Sequence, residues 1–205
     1  GIEEILQQTR RIANILGTLM NFSRSGSVGS EQQTLDMKTV IEEAINLVRL
    51  TRAGRQVECS FSCPTELKLV GDRQRLSQVL VNLLTNAVDA MEEKGDAPRL
   101  LEVGVERAGE HGVALYVQDS GVGIPEEERA RIFELFHTSK PPGKGTGIGL
   151  AIVLDIVKRL GAQIEVDSTR GEGSRFTVMD VNPETAMRWA RVMNDWAGRA
   201  AGKDD

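Results

Sequence analysis

Two asparagines four residues apart, Asn82 and Asn86, lie in the run RLSQVLVNLLTNAVDAM. If that run is helical, at about 100° per residue both fall on one face, with Arg75, Gln78 and Asp89 close by. Leu80, Leu83, Leu84 and Ala87 occupy much of the rest. Asparagine competes with its own backbone for hydrogen bonds inside a helix, and a plain solvent face more often uses Glu, Lys or Gln. Two neutral carbonyl oxygens one turn apart suit a hard cation such as Mg²⁺, which keeps waters and is shared with phosphates; an ordinary solvated stripe is the other reading. Further on, the apolar run LYVQDSGVGIP ends in Asp119, followed by Gly121 and Gly123. An Asx turn accounts for such a sequence. So does a carboxylate at the mouth of an apolar pocket, accepting a hydrogen bond from an exocyclic amine such as that of adenine. Glycines there let a flat ligand approach the backbone.

The stretch FHTSKPPGKGTGIGLAIV, residues 136–153, combines glycines, prolines and lysines before turning apolar. A P-loop requires Gly, four residues, then Gly-Lys-Ser/Thr; here Gly143-Lys144 is followed by Gly145, and Thr138 stands in the first glycine's place. A dinucleotide fingerprint requires a strand just upstream, and HTSKPPGK cannot form one. What remains is a glycine-rich loop delivering a helix N-terminus, a seat for an anion, or else a flexible connection. Arg129, Arg131, Lys140 and Lys144 lie in and around residues 125–144, with IFELF as an apolar anchor. They read either as solvated surface charges or as a lid whose lysines meet phosphate oxygens.

The elements that carry these residues follow from periodicity and capping. Ile2, Ile5, Thr9, Ile12, Leu16 and Leu19 recur at spacings of three and four, so residues 2–25 read as an amphipathic helix that needs partner helices. SGSVGSEQQ reads as a linker. A mixed domain follows: a strand at 33–37, a helix at 37–52, strands at 57–61 and 67–70, and a helix at 73–93 capped by Asp72. Strands at 100–107 and 113–119 are joined by AGEHG, a helix covers 147–160, and strands 163–167 and 175–181 form a hairpin across STRGEG. A terminal helix starts at Pro183. Antiparallel strands interleaved with a few long helices predict an α+β two-layer sandwich.

The 205 residues carry a net charge of −5 and a pI near 5.3, which argues against nucleic acid as the main partner. No apolar run approaches membrane-spanning length and no signal peptide is visible, so no membrane contact by this chain is expected. Cys59 and Cys63 read as small hydrophobes in a reducing compartment.

Taken in order, Asn-x₃-Asn, then Asp-Ser-Gly-x-Gly, then the aromatic lid, then Gly145-Thr146-Gly147-Ile148-Gly149-Leu150, then Gly171-Glu172-Gly173-Ser174 closely resemble the N, G1, F, G2 and final glycine boxes of the sensor histidine kinase catalytic domain. That domain shares its ATP-binding fold, of Bergerat type, with type II topoisomerases, mismatch-repair ATPases and the large heat-shock chaperone. The resemblance runs from about Gln33 to Val181, and RIANILGTLMNFSR is similar to the second helix of the kinase dimerisation and phosphotransfer domain. It implies a partial phosphotransfer helix at 1–25, a linker at 26–32, an ATP-binding catalytic domain at 33–182 and a terminal helix and tail at 183–205. NAVDAM with TSKPPGKGTGIGL looks most like the nitrogen-regulation subgroup.

By this resemblance the cofactors are ATP and Mg²⁺. Asn86 would ligate the metal, with Asn82 lining the same phosphate region; Asp119 would take the adenine amine, and Gly121, Gly123 and Ile124 would shape the base pocket. Gly145, Gly147 and Gly149 would bring backbone amides to the phosphates, together with Lys144, Thr146, Ile148 and Leu150 of the same run. Thr138, Ser139 and Lys140 would approach the outer phosphates, and Ser174 and Phe176 would close the back of the adenine site. Water-cleaving relatives place a glutamate where this chain has Asn82, which cannot take a proton. Asn82 and Lys140 are therefore the residues assigned to catalysis, in a site that transfers phosphoryl to a protein nucleophile by positioning and charge neutralisation.

The sequence departs from the family at two places. Asp89 stands where many members carry Lys or His, so the lid lysines must supply more positive charge. The acceptor histidine is missing: His111 falls in a turn and His137 in the lid, each read as incidental or structural, and the acceptor is expected on a helix before Gly1. The implied partners are that phosphoacceptor domain and a response-regulator receiver domain. The parent is expected to be a cytoplasmic or membrane-anchored homodimer, and this chain alone a monomer or weak dimer, unable to autophosphorylate. Two alternatives share the nucleotide boxes: a nucleotide-binding scaffold without kinase activity, and a serine kinase acting on an anti-sigma-factor antagonist.

Overall fold

The computed structural model describes residues 32–63, 67–108, 112–140 and 145–180. The expected first and last helices, the linker before Gln32, His111 and Lys144 lie outside the described residues.

Strand β1 (Gln33–Asp36) ends in the residue that starts helix α1 (Met37–Arg49). The Asp36 carboxylate accepts from the Lys38 N–H at 3.1 Å, a donor that the first turn leaves open, and from the Thr39 hydroxyl at 3.0 Å. Met37, Val40, Ile41, Ala44, Ile45 and Val48 then form one buried face at helical spacing. The helix stops at Arg49, three residues before the limit the periodicity predicts. Its end is tied off by Thr51, whose N–H and hydroxyl both donate to the Val48 carbonyl. Gly54 then crosses that same carbonyl so closely that a Cβ would lie 2.2 Å from it.

After a single 3₁₀ turn come β2 (Glu58–Ser62) and β3 (Lys68–Gly71), which pairs antiparallel with β1. Helix α2 (Arg73–Glu93) has the limits the sequence predicts. Asp72 caps it by accepting the Arg75 N–H at 3.1 Å, a contact of the kind that contributes about 1 kcal/mol. The chain continues through β4 (Leu100–Ala108), β5 (Gly112–Asp119), a one-turn helix α3 (Glu126–Arg129), α4 (Gly149–Arg159), β6 (Ala162–Thr169) and β7 (Gly173–Asp180).

The main sheet has five strands in the order β2-β4-β5-β7-β6, with β2 parallel to β4 and the other pairs antiparallel. Leu101, Val103 and Val105 of β4 and Val113, Leu115 and Val117 of β5 join the helices in one core. Helix α2 packs against both α1 and α4 and lies over β5 and β7. This is the two-layer α+β sandwich that the pattern predicts. Cys59 and Cys63 are half-buried beside the core, and burial raises both thiol pKa values.

The register places the site. Asp119, the last residue of β5, stands opposite Ser174 at the start of β7, and α2 passes over both strands with its asparagine face turned away from the core.

Candidate functional site

A cavity of about 700 Å³ opens between α2, the segment after β5, the residues leading into α4 and the β6–β7 turn. It is large enough for a nucleotide-sized ligand. Its wall includes Asn82, Asn86 and Asp89 from α2, Asp119, Gly123 and Ile124 from the β5 end, and Thr138, Ser139 and Lys140. Gly145, Thr146, Gly147, Gly149, Leu150, Ser174 and Phe176 complete the set of sequence-predicted residues that the fold gathers there. Two of the predicted residues face elsewhere. Ile148 is a core residue at 1% exposure, and Gly121 packs on the Ala90 backbone and the Asp119 carboxylate, supporting the wall without lining it.

Asp119 combines an Asx turn with a place in the cavity wall. Its Oδ1 accepts the Gly121 N–H at 2.8 Å, closing the Asx turn, and the same carboxyl lines the cavity with only 6% exposure. Burial pushes its pKa up from 3.8 to about 6, against the opposing pull of the Gly121 and Ser174 amides and the charge of Lys94. The loop after it is clipped to the β6–β7 turn. The Ser168 hydroxyl accepts the Ile124 N–H at 2.8 Å and donates to the Gly173 carbonyl at 2.8 Å, with the Ser174 hydroxyl 3.0 Å away. Gly171 N–H meets the Val122 carbonyl at 2.7 Å. Ser168 escapes a sequence reading because DSTRGEG looks like turn chemistry alone, and only the β6–β7 register brings its hydroxyl beneath residue 124.

At the other end of the cavity, Asn82 Nδ2 donates to the Gly149 carbonyl at 3.4 Å. A methyl group on Gly149 would lie 3.9 Å from Asn86 Nδ2 and 4.0 Å from Asn82 Oδ1. Both amide heads therefore meet the first turn of α4, whose N-terminus has no side-chain cap. Open backbone N–H groups and the helix dipole make that end attractive to anions. Helix α4 begins at Gly149, two residues later than the periodicity predicts, because Gly147 is held at φ 64° and cannot continue a right-handed helix. Its carbonyl accepts the Phe136 N–H at 2.8 Å, fastening the segment before the glycine run to the run itself.

Among the described residues no group of three or more His, Cys, Asp or Glu could hold a metal. The neutral amide oxygens of Asn82 and Asn86 could supply one or two hard ligands to a cation that brings its own waters and phosphates, which fits Mg²⁺.

Asp89 also faces the cavity, and Lys140 Nζ lies 2.5 Å from its Oδ2. The lysine that the sequence assigns to phosphate is thus neutralised by the aspartate that departs from the family pattern.

Comparison with known proteins matches this architecture to a family. The sequence profile described as histidine kinase-, DNA gyrase B-, and HSP90-like ATPase covers residues 71–184. The chain belongs to this ATPase family. A second profile, of a family of unknown function, covers residues 171–199. Among curated members of the ATPase family, the C4-dicarboxylate transport sensor protein DctB of Rhizobium meliloti is 39% identical over 87% of this chain and 28% of its own length. The sensor histidine kinase ZraS of Klebsiella oxytoca is 32% identical over 83% of this chain and 36% of its own. The chain therefore spans about a quarter to a third of these relatives. Among solved structures, the catalytic domain of histidine kinase ThkA superposes with a TM-score of 0.64 at 29% identity, covering 76% of this chain and 99% of that domain. The mycobacterial sensor histidine kinase MprB gives 0.62 at 28%, covering 72% and 95%. Full-length ShkA in complex with AMPPNP shares the fold, with a TM-score of 0.70 at 24% identity over 82% of this chain and 35% of that one.

Proposed function

We propose that this chain is the ATP-binding catalytic part of a sensor histidine kinase, which holds Mg-ATP and transfers its γ-phosphoryl group to a histidine on a separate dimerisation helix. One observation carries this reading: a buried carboxylate, two amide heads and an uncapped helix N-terminus converge on one cavity. Asp119 accepts from the adenine amine, in a cavity also lined by Gly123, Ile124, Ser174 and Phe176. Asn86 ligates the metal, and Asn82 orients the first turn of α4 toward the phosphates. Asn86, with Asn82 beside it, would hold Mg²⁺, which would supply charge neutralisation at the phosphates. Lys140, Thr138 and Ser139 approach the outer phosphates. No carboxylate occupies the Asn82 position to activate water, which favours transfer over hydrolysis. A receiver domain that takes the phosphoryl group onward and a cytoplasmic site of action complete the proposal.

The role of Asn86 is tested by calorimetric titration with ATP in the presence of Mg²⁺ and of a chelator. Binding should be tighter with the metal by about 10-fold, and Asn86→Ala should erase that difference while leaving metal-free affinity nearly intact. A variant that keeps the full metal dependence removes Asn86 from the metal site.

A second reading, a nucleotide-binding scaffold without kinase activity, draws on the Asp89–Lys140 pair, which withholds a cation from the phosphates. Asp89→Asn frees Lys140 and removes a negative charge from the phosphate end, so ATP affinity should rise about 5- to 10-fold. A fall instead would mean that Asp89 holds Lys140 where the phosphates need it.

A further inference from the structure

The sequence reads His137 as incidental or structural, and the residue belongs to the wall of the same cavity. Its Nε2 is buried from solvent and has no hydrogen-bond partner among the described residues. A ring nitrogen in that position is a donor or acceptor left unsatisfied, which native interiors rarely tolerate without a functional reason. The preceding residue, Phe136, has φ 66° and is the non-glycine residue at positive φ among those described. Two adjacent unfavourable features on one short segment point to a function that needs the segment where it is.

The neighbours of His137 say which part of a ligand it would meet. Phe136 is bonded to the Gly147 carbonyl, and a Cβ on Gly147 would lie 2.8 Å from the His137 backbone nitrogen. Thr138 Oγ1 would lie 2.5 Å from a Cβ on Gly145. The segment therefore runs along the glycine stretch that leads into the N-terminus of α4, where backbone donors favour an anion. Asp89, an acidic group on that wall, is already paired with Lys140. Among the described residues nothing satisfies Nε2, whereas a phosphate oxygen is an acceptor of the required kind.

We propose that His137 is a phosphate-binding residue of the nucleotide site, its imidazole turning from the buried position to donate from Nε2–H to a phosphate oxygen. The proposal rests on the ATP-site reading given above and adds a contact to it. It adds a side-chain donor to the backbone amides of the glycine run and the asparagine heads.

The test compares the full chain with His137→Phe and His137→Gln by calorimetry, using a non-hydrolysable ATP analogue, ADP and adenosine under one set of conditions. Phe keeps the ring shape without the donor, and Gln restores an N–H at similar reach. His137→Phe should lose about 10-fold in affinity for the analogue and for ADP, with adenosine within about twofold, and His137→Gln should recover most of the loss. The chain has two histidines, so ¹⁵N spectra assign the His137 ring by its absence from the Phe variant. The Nε2 resonance should move with the analogue and not with adenosine. Equal losses for all three ligands, or none, overturn the proposal and leave the ATP site standing. If the unaltered chain binds none of the three, the ATP-site reading falls with it.

Discussion

Replacing Asp119 by asparagine should make the chain more stable at pH 7.5 while weakening its hold on ATP by about 100-fold or more. The two effects come from one burial. The carboxyl is almost fully enclosed, and desolvation raises its pKa from 3.8 to about 6 despite the Gly121 and Ser174 amides. Because the folded-state value is the higher one, the stability linked to this group is complete below about pH 4 and is lost as the pH rises through 6. At pH 7.5 the ionised carboxylate costs the fold about 3 kcal/mol. The substituted amide carries no charge to desolvate, so unfolding should shift upward by about 6–12 °C at pH 7.5, and the gain should vanish as the pH falls toward 4. Binding responds in the opposite sense. An amide whose oxygen is kept by the Gly121 N–H presents its NH₂ group to the adenine amine, donor against donor. ATP affinity of the unaltered chain should also decline as the pH drops through 6, and the Asp119→Asn variant should lack that dependence. Thermal unfolding and calorimetry across this pH range check both halves. A destabilised variant with unaltered affinity would reduce Asp119 to an Asx turn.

Gly147→Ala should damage both fold and site. Gly147 is held at φ 64°, where an alanine costs about 1–2 kcal/mol. Its Cβ would also lie 2.4 Å from the Phe136 carbonyl carbon and 2.7 Å from its Cα. These are backbone atoms, so no side-chain rotation relieves the overlap, and the hydrogen bond from Phe136 N–H to the Gly147 carbonyl must open. A total loss of about 2–4 kcal/mol in urea unfolding is expected. The glycine run would move relative to Asn82 and Asn86, and displacements of about 1 Å at a reacting centre cost about 100-fold. ATP binding should therefore fall far more than adenosine binding. An alanine variant with wild-type ATP affinity would detach the glycine run from the phosphates.

The elements legible in the sequence are those with local causes. Helix α2 has the predicted limits because its Asp72 cap and its Leu80-Leu83-Leu84-Ala87 stripe are both written in nearby residues. The start of α4 differs from the periodicity because Gly147 takes its conformation from a contact with Phe136, well upstream in the chain. Strands β6 and β7 run longer than their alternation predicts, since pairing extends the ladder through Thr169 and Gly173. The parallel pairing of β2 with β4 leaves no local trace at all.

The site divides the same way. Asn82, Asn86 and Asp119 are visible because polar residues interrupt apolar patterns there, a conflict that needs a reason. Ser168 and His137 are not, because each owes its position to tertiary neighbours: the β6–β7 register for one and the 136–147 contact for the other. The ion pair between Asp89 and Lys140 shows the limit of reading charges singly. The sequence assigns Lys140 to phosphate and marks Asp89 as a departure from the family, and the fold joins the two.

The most direct measurement mixes this chain with Mg²⁺, ATP labelled at the γ-phosphate and a separate histidine-bearing helical hairpin domain from a sensor kinase. A kinase catalytic part should place label on the hairpin as acid-labile, alkali-stable phosphate, and Asp119→Asn should abolish the transfer. Label released only as inorganic phosphate, label found as alkali-labile phosphoserine, or no transfer despite tight ATP binding would contradict the account.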